Sequence, residues 1–161
     1  MSKRIVKPLL FLTLTIVVIC YLLFVICSKP GYLEIRYTDT GKVLVKLPLN
    51  EYDEFVIEFI HSVNKSPVRE TYRIEGGRIR LQNVRLYSFG AGFSDLNEMQ
   101  KLSRDGDAMV ISGFNVSYKE LNLITGTASD HVLLVNNEII NLRELSGKPD
   151  GRNTRITIQF R

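Results

Sequence analysis

Two patterns of apolar residues follow one another along the chain. From Leu9 to Cys27 the sequence runs LLFLTLTIVVICYLLFVIC, with no charge and only hydroxyl or thiol groups among the apolar side chains. From Tyr32 onward the apolar positions come in short stretches, several of them alternating with polar ones as they do along strands. The first pattern predicts a membrane-spanning helix, since a helix of that length rises roughly 28 Å, close to the thickness of a bilayer hydrocarbon core. A cleaved signal peptide has a shorter apolar region ending in a small-x-small site. Val25-Ile26-Cys27-Ser28 is a poor site, and neither Cys20 nor Cys27 follows a small residue. Lys3, Arg4 and Lys7 precede the run and hold the N-terminus inside. The expected organisation is therefore a cytoplasmic stub and transmembrane signal anchor over 1–28, then an extracytoplasmic domain over 29–161. The protein is expected in the cytoplasmic membrane, single-pass, holding the bilayer through Leu9 to Cys27.

The second pattern predicts strands between turn signals. The runs are Tyr32–Thr38, Lys42–Leu47, Glu54–Val63, Val68–Glu75, Arg78–Ser88, Ala108–Phe114, Glu120–Ile124, His131–Val135, Glu138–Leu142 and Arg155–Phe160. Asp39-Thr40-Gly41, Glu75-Gly76-Gly77 and Asn136-Asn137 supply the turn chemistry between them. Many short strands at this spacing predict an all-β domain, an antiparallel sandwich or barrel. One short helix is expected after Asp95, with Glu98 completing a capping box and Leu96, Met99 and Leu102 forming an apolar stripe.

Composition narrows the choice. The chain has 161 residues and a formal charge of +4, part of it carried by the three basic residues ahead of the apolar run. The remainder is nearly neutral with its signs interspersed, and without a basic stripe it does not read as a nucleic-acid binder. Both cysteines fall inside the apolar run, so the exported domain has no disulfide and rests on its core.

The segment Glu54–Glu75 allows a register to be written. Phe55, Ile57, Phe59 and His61 share one face of the first strand; Val68, Glu70, Tyr72 and Ile74 share one face of the second. A loop over Asn64-Lys65-Ser66-Pro67 pairs Val63 with Val68, His61 with Glu70, Phe59 with Tyr72 and Ile57 with Ile74. His61 and Glu70 would then meet at the end of an apolar ladder. Such a pair can satisfy itself and fix the register, or it can hold a ligand carboxylate or orient the histidine towards a metal. With His131 these residues would complete a His₂-carboxylate metal set, although sequence spacing alone does not bring His131 near.

The stretch His61-Ser62-Val63-Asn64-Lys65-Ser66-Pro67-Val68-Arg69-Glu70 and the later Gly90-Ala91-Gly92 resemble those of an uncharacterised family, domain of unknown function number 1850. His131 before an apolar strand fits as well. The resemblance spans nearly the whole exported domain, and it differs in one place: Phe93-Ser94 follow the Gly-Ala-Gly, where the family often has an aliphatic residue and proline. Members are small, often anchored at the N-terminus, and frequently encoded beside TRAP transporters of the TAXI type. The resemblance implies a transport-associated envelope protein and supplies no activity.

Other chemistry is weaker. Gly90-Ala91-Gly92 could cradle an anion with its backbone amides, but Asp95 adds a negative charge there and a glycine-permitted corner explains the residues. It is neither a P-loop nor a dinucleotide fingerprint. His61 and Ser62 are neighbours on a strand and point to opposite faces, so they do not form a nucleophile–base pair. Asp105-Gly106-Asp107 reads as a solvated turn. The candidate ligand-binding residues are thus His61, Glu70, Gly90, Gly92 and His131, with no cofactor and no catalytic residue expected. The leading expectation is a non-enzymatic accessory or binding module of a TRAP-type transporter, contacting an organic-acid ligand or the substrate-binding protein. The alternatives are a metal-dependent extracytoplasmic enzyme built on His61, Glu70 and His131, and a purely structural envelope protein.

Overall fold

The computed structural model describes residues 14–19, 30–63, 65–88, 99–125, 130–147 and 153–161. The chain divides into two compact units, Met1–Pro30 and Gly31–Arg161. In the first, residues 14–19 are helical. The rest of the apolar run from Leu9 to Cys27 lies outside the described residues, and among the described residues no helix is long and apolar enough to cross a membrane.

The second unit is all-β and antiparallel, as the alternation predicts. Its elements are β1 (Tyr32–Tyr37), β2 (Val43–Pro48), β3 (Glu54–Ile60), β4 (Pro67–Glu75), β5 (Arg78–Leu86), β6 (Lys101–Asp105), β7 (Ala108–Ser112), β8 (Ser117–Tyr118), β9 (Glu120–Thr125), β10 (Val132–Val135), β11 (Glu138–Asn141), a helical turn α1 (Leu142–Leu145) and β12 (Thr154–Phe160). A small sheet orders β2-β1-β12-β9, and a larger one orders β11-β10-β3-β4-β5-β7-β6 with β8 beside β5. The sheets pack as a sandwich. Leu33 and Ile35 of β1 and Ile156 and Ile158 of β12 join Phe55, Ile57, Ile74, Ile79 and Leu133 of the large sheet in one buried cluster. Fully burying each such side chain is worth about 1.5–3 kcal/mol, so this row fixes which face of every strand turns inward.

Three local expectations are corrected. The start of the helix expected after Asp95, with Leu96 and Glu98, lies outside the described residues, but its continuation is not helical and the other two stripe residues are not core. Met99 lies in a turn and Leu102 in β6, and they are 61% and 48% exposed. Leu102 instead pairs with Ile111 in the β6–β7 hairpin, which turns at Gly106. The described helical turn of this unit follows β11 and takes Leu142, the last residue of the expected strand Glu138–Leu142: the Asn141 side chain accepts from the amides of Arg143 and Glu144 at 2.9 and 3.1 Å.

The third correction is the β3–β4 register. The observed pairs are Glu54–Arg73, Phe55–Tyr72, Ile57–Glu70, Glu58–Arg69, Phe59–Val68 and Ile60–Pro67, so His61 does not face Glu70. The strands are offset by an even number of residues from the expected pairing, which leaves every inward residue inward. Apolar alternation therefore does not distinguish the two registers; the outer face does. The observed pairing sets Glu58 against Arg69 and Glu54 against Arg73, both in ion-pair contact. The expected one would have set Arg69 against Ser62 and Glu54 against Gly77. The loop closes earlier, with the His61 amide donating to the Ser66 carbonyl and the Lys65 amide to the His61 carbonyl, each at 2.9 Å.

The chain enters the sandwich at Gly31, whose carbonyl accepts from the Leu49 amide at 3.1 Å. A Cβ on Gly31 would lie 2.3 Å from the Phe160 ring and 2.6 Å from the Leu49 carbonyl, so only glycine fits there. At the same end lie the turns at Gly76-Gly77 and Asn136-Asn137, held by hydrogen bonds from the Gly76 amide to Glu51 and from Asn136 to the Pro48 carbonyl. The His61–Ser66 tip and His131 occupy the opposite end, about 20 Å away along β3 by the rise of a strand.

Candidate functional site

The inward face of the large sheet carries two apolar clusters. The larger faces the small sheet; the smaller, Val68, Leu86 and Ile111, lies towards the His61 end. Phe59, Val84 and Phe114 pack against both and are only half-buried. Glu70 stands at the seam. On its own strand it alternates with Val68, in one cluster, and Tyr72, in the other, and across the ladder it pairs with Ile57 and Val84.

A β-bulge creates that last neighbour. Thr71 pairs with Asn83 but Tyr72 with Leu81, so Gln82 is the extra residue of β5. The insertion restores the inward phase, turning both Leu81 and Val84 to the core side. In an unbulged ladder continued from Tyr72–Leu81, Glu70 would lie opposite Asn83. The sequence thus places an apolar wall beside an inward carboxylate.

Glu70 is half-buried, and its carboxylate accepts the Tyr72 hydroxyl at 2.7 Å. Among the described residues this is its one hydrogen bond, and no basic side chain pairs with it. Tyr72 is itself buried, stacked on Phe55 at 5.3 Å and edge-on to Tyr118 at 6.5 Å. Burial first, then the Glu70 charge, push the Tyr72 phenol well above its ordinary value, so it remains a donor. The basic residues of β4 and β5 behave differently. Arg69, Arg73, Arg80 and Arg85 pair with Glu58, Glu54, Glu75 and Asp105. The hydrogen bond to Glu58 raises the Arg69 guanidinium further above its ordinary value.

The histidines sit nearby in the fold but in different roles. His131 stands one residue before β10, whose first pair is Val132 with Glu58. This position sets its ring against Phe59, centroids 5.3 Å apart, on the inward side. The His61 imidazole folds back onto its own turn, where Nδ1 accepts the Val63 amide at 3.2 Å. Although all three are described, His61, Glu70 and His131 do not form a metal-holding group, and among the described residues no cluster of three or more His, Cys, Asp or Glu does. Gly90 and Gly92 lie outside the described residues.

Sequence reasoning named Glu70 and His131 but missed Tyr72, Tyr118 and Phe59 as members of the same cluster. Their signal was present, since each shares the inward phase of its strand, but aromatic residues at that phase are the ordinary content of a core. No curated protein and no solved structure matches the chain. A family model matches residues 55–142, from the start of β3 to α1, and so contains every residue of this site. The chain belongs to the family described as Domain of unknown function (DUF1850).

Proposed function

We propose that this protein is a membrane-anchored extracytoplasmic binding module, an accessory of a TRAP-type (TAXI) solute transporter, and that its working end is the one holding Glu70 and His131. The observation that carries the reading is Glu70. An inward carboxylate with one hydrogen bond, set among half-buried aromatic side chains, contributes poorly to a fold. Groups kept in such positions at the expense of stability are characteristic of sites that bind. The long apolar run ahead of Gly31 supports the anchor, and the family resemblance supports the transporter. Of the two contacts expected, the carboxylate favours the substrate-binding protein over an organic acid, which it would repel.

Site-specific photo-crosslinking in native membranes tests this. A crosslinker at Val63, 78% exposed on the tip, should capture a transporter component or its substrate-binding protein. One at Tyr52, 72% exposed at the end where the chain enters, should not. Capture from neither position, with organic-acid uptake unchanged when the protein is deleted, would rule the transporter role out.

A further inference from the structure

We infer that the seam around Glu70 is a site for an organic cation, an ammonium or guanidinium group carried on an apolar stem. The inference rests on reading this end as a binding site and adds the chemistry of what binds. Three observations carry it.

The first is charge. Along β4 and β5 the arginines that form ion pairs do so with Glu58, Glu54, Glu75 and Asp105, while among the described residues Glu70 has no cationic partner. Its Tyr72 hydrogen bond engages Oε2, and Oε1 is left to accept from a ligand. A carboxylate in surroundings of lowered dielectric attracts a cation more strongly than it would in water.

The second is the ring content. Tyr72 bonds to Glu70 and carries Tyr118 against it; Phe59, which packs against both apolar clusters, carries His131. Aromatic faces attract cations through their quadrupole, and Arg and Lys stems pack well on an apolar side chain such as the half-buried Val84. An anion would meet the carboxylate and the negative ring faces together.

The third is access. Glu70 and the neighbouring Phe59, Val84 and His131 are half-buried rather than sealed, so the carboxylate keeps partial contact with solvent. A guanidinium would donate charge-assisted hydrogen bonds to the Glu70 carboxylate and lay its stem towards Val84.

The test is a titration of the full chain, methyl-labelled, with n-butylguanidinium, n-butylammonium, butyrate and n-butanol. The two cations should shift the methyl signals of Ile57 and Val84 saturably, with dissociation constants on the order of millimolar for so small a probe. Butyrate and butanol should not. Glu70→Gln, which keeps an acceptor for the Tyr72 hydroxyl, should weaken cation binding about tenfold or more while the melting temperature holds. A capped Gly-Arg-Gly peptide that binds where free arginine does not would assign the cation to a partner chain; the reverse would assign it to a small solute. Butyrate binding as well as the cations, no saturable shift with either cation, or unchanged affinity in Glu70→Gln would each overturn the inference. Because the crosslinking at Val63 needs no cation, its success alongside such a result would retain the binding module and discard only this chemistry.

Discussion

At the scale of single residues, Glu70 and Tyr72 form a unit whose titration has a defined sign. The Tyr72 phenol is raised above its ordinary value of 10.0 by burial and by the Glu70 charge. The folded state therefore holds this proton at pH values where the unfolded chain has lost it. The contribution is complete below about pH 10 and declines as the pH rises above it, by up to about 1.4 kcal/mol per pH unit. Denaturant unfolding of the parent and of Tyr72→Phe between pH 8 and 11 should show the steeper alkaline decline in the parent. Equal slopes would mean that the phenol is not buried against the carboxylate.

At the scale of elements, the β3–β4 hairpin separates what pattern determines from what it leaves open. Phe55, Ile57, Val68 and Tyr72 announce their shared face by alternation, and that face was legible. The pairing along it was not, because an even slip leaves each of them buried. The register follows instead from Glu58–Arg69 and Glu54–Arg73 on the outer face, a charge complementarity the sequence also contains. A double-mutant cycle on Glu58 and Arg69 should give a coupling of about 0.2–1 kcal/mol, as exposed pairs do, and one on His61 and Glu70 should give none. Coupling at His61–Glu70 would restore the rejected register. Other elements were hidden for different reasons. Lys101–Asp105 is exposed along its length and has no alternation to betray a strand. The turn α1 was signalled only by Asn141 with Glu144 three residues on, a helix-start pattern that apolar Ile139 and Ile140 before it disguised as strand. The bulge at Gln82 has no sequence mark of its own, so the meeting of Glu70 with Val84 was not readable in advance.

At the scale of the whole molecule, a sandwich without cysteines draws its stability from one large inter-sheet cluster and a smaller one at its far end. Placing a carboxylate at their junction works against that stability, which is the expected cost when the carboxylate serves something other than folding. Function and fold then make opposite demands on the same position, and the unfolding free energy of one variant reads the difference. In Glu70→Met/Tyr72→Phe both members of the hydrogen bond become apolar at nearly unchanged volume, and no orphaned polar group remains. If Glu70 is held for binding, this double variant unfolds at the same denaturant concentration as the parent or a higher one, while Val63 crosslinking is lost. A loss of more than about 2 kcal/mol would instead show that the pair is part of what holds the sandwich together, and would contradict the account.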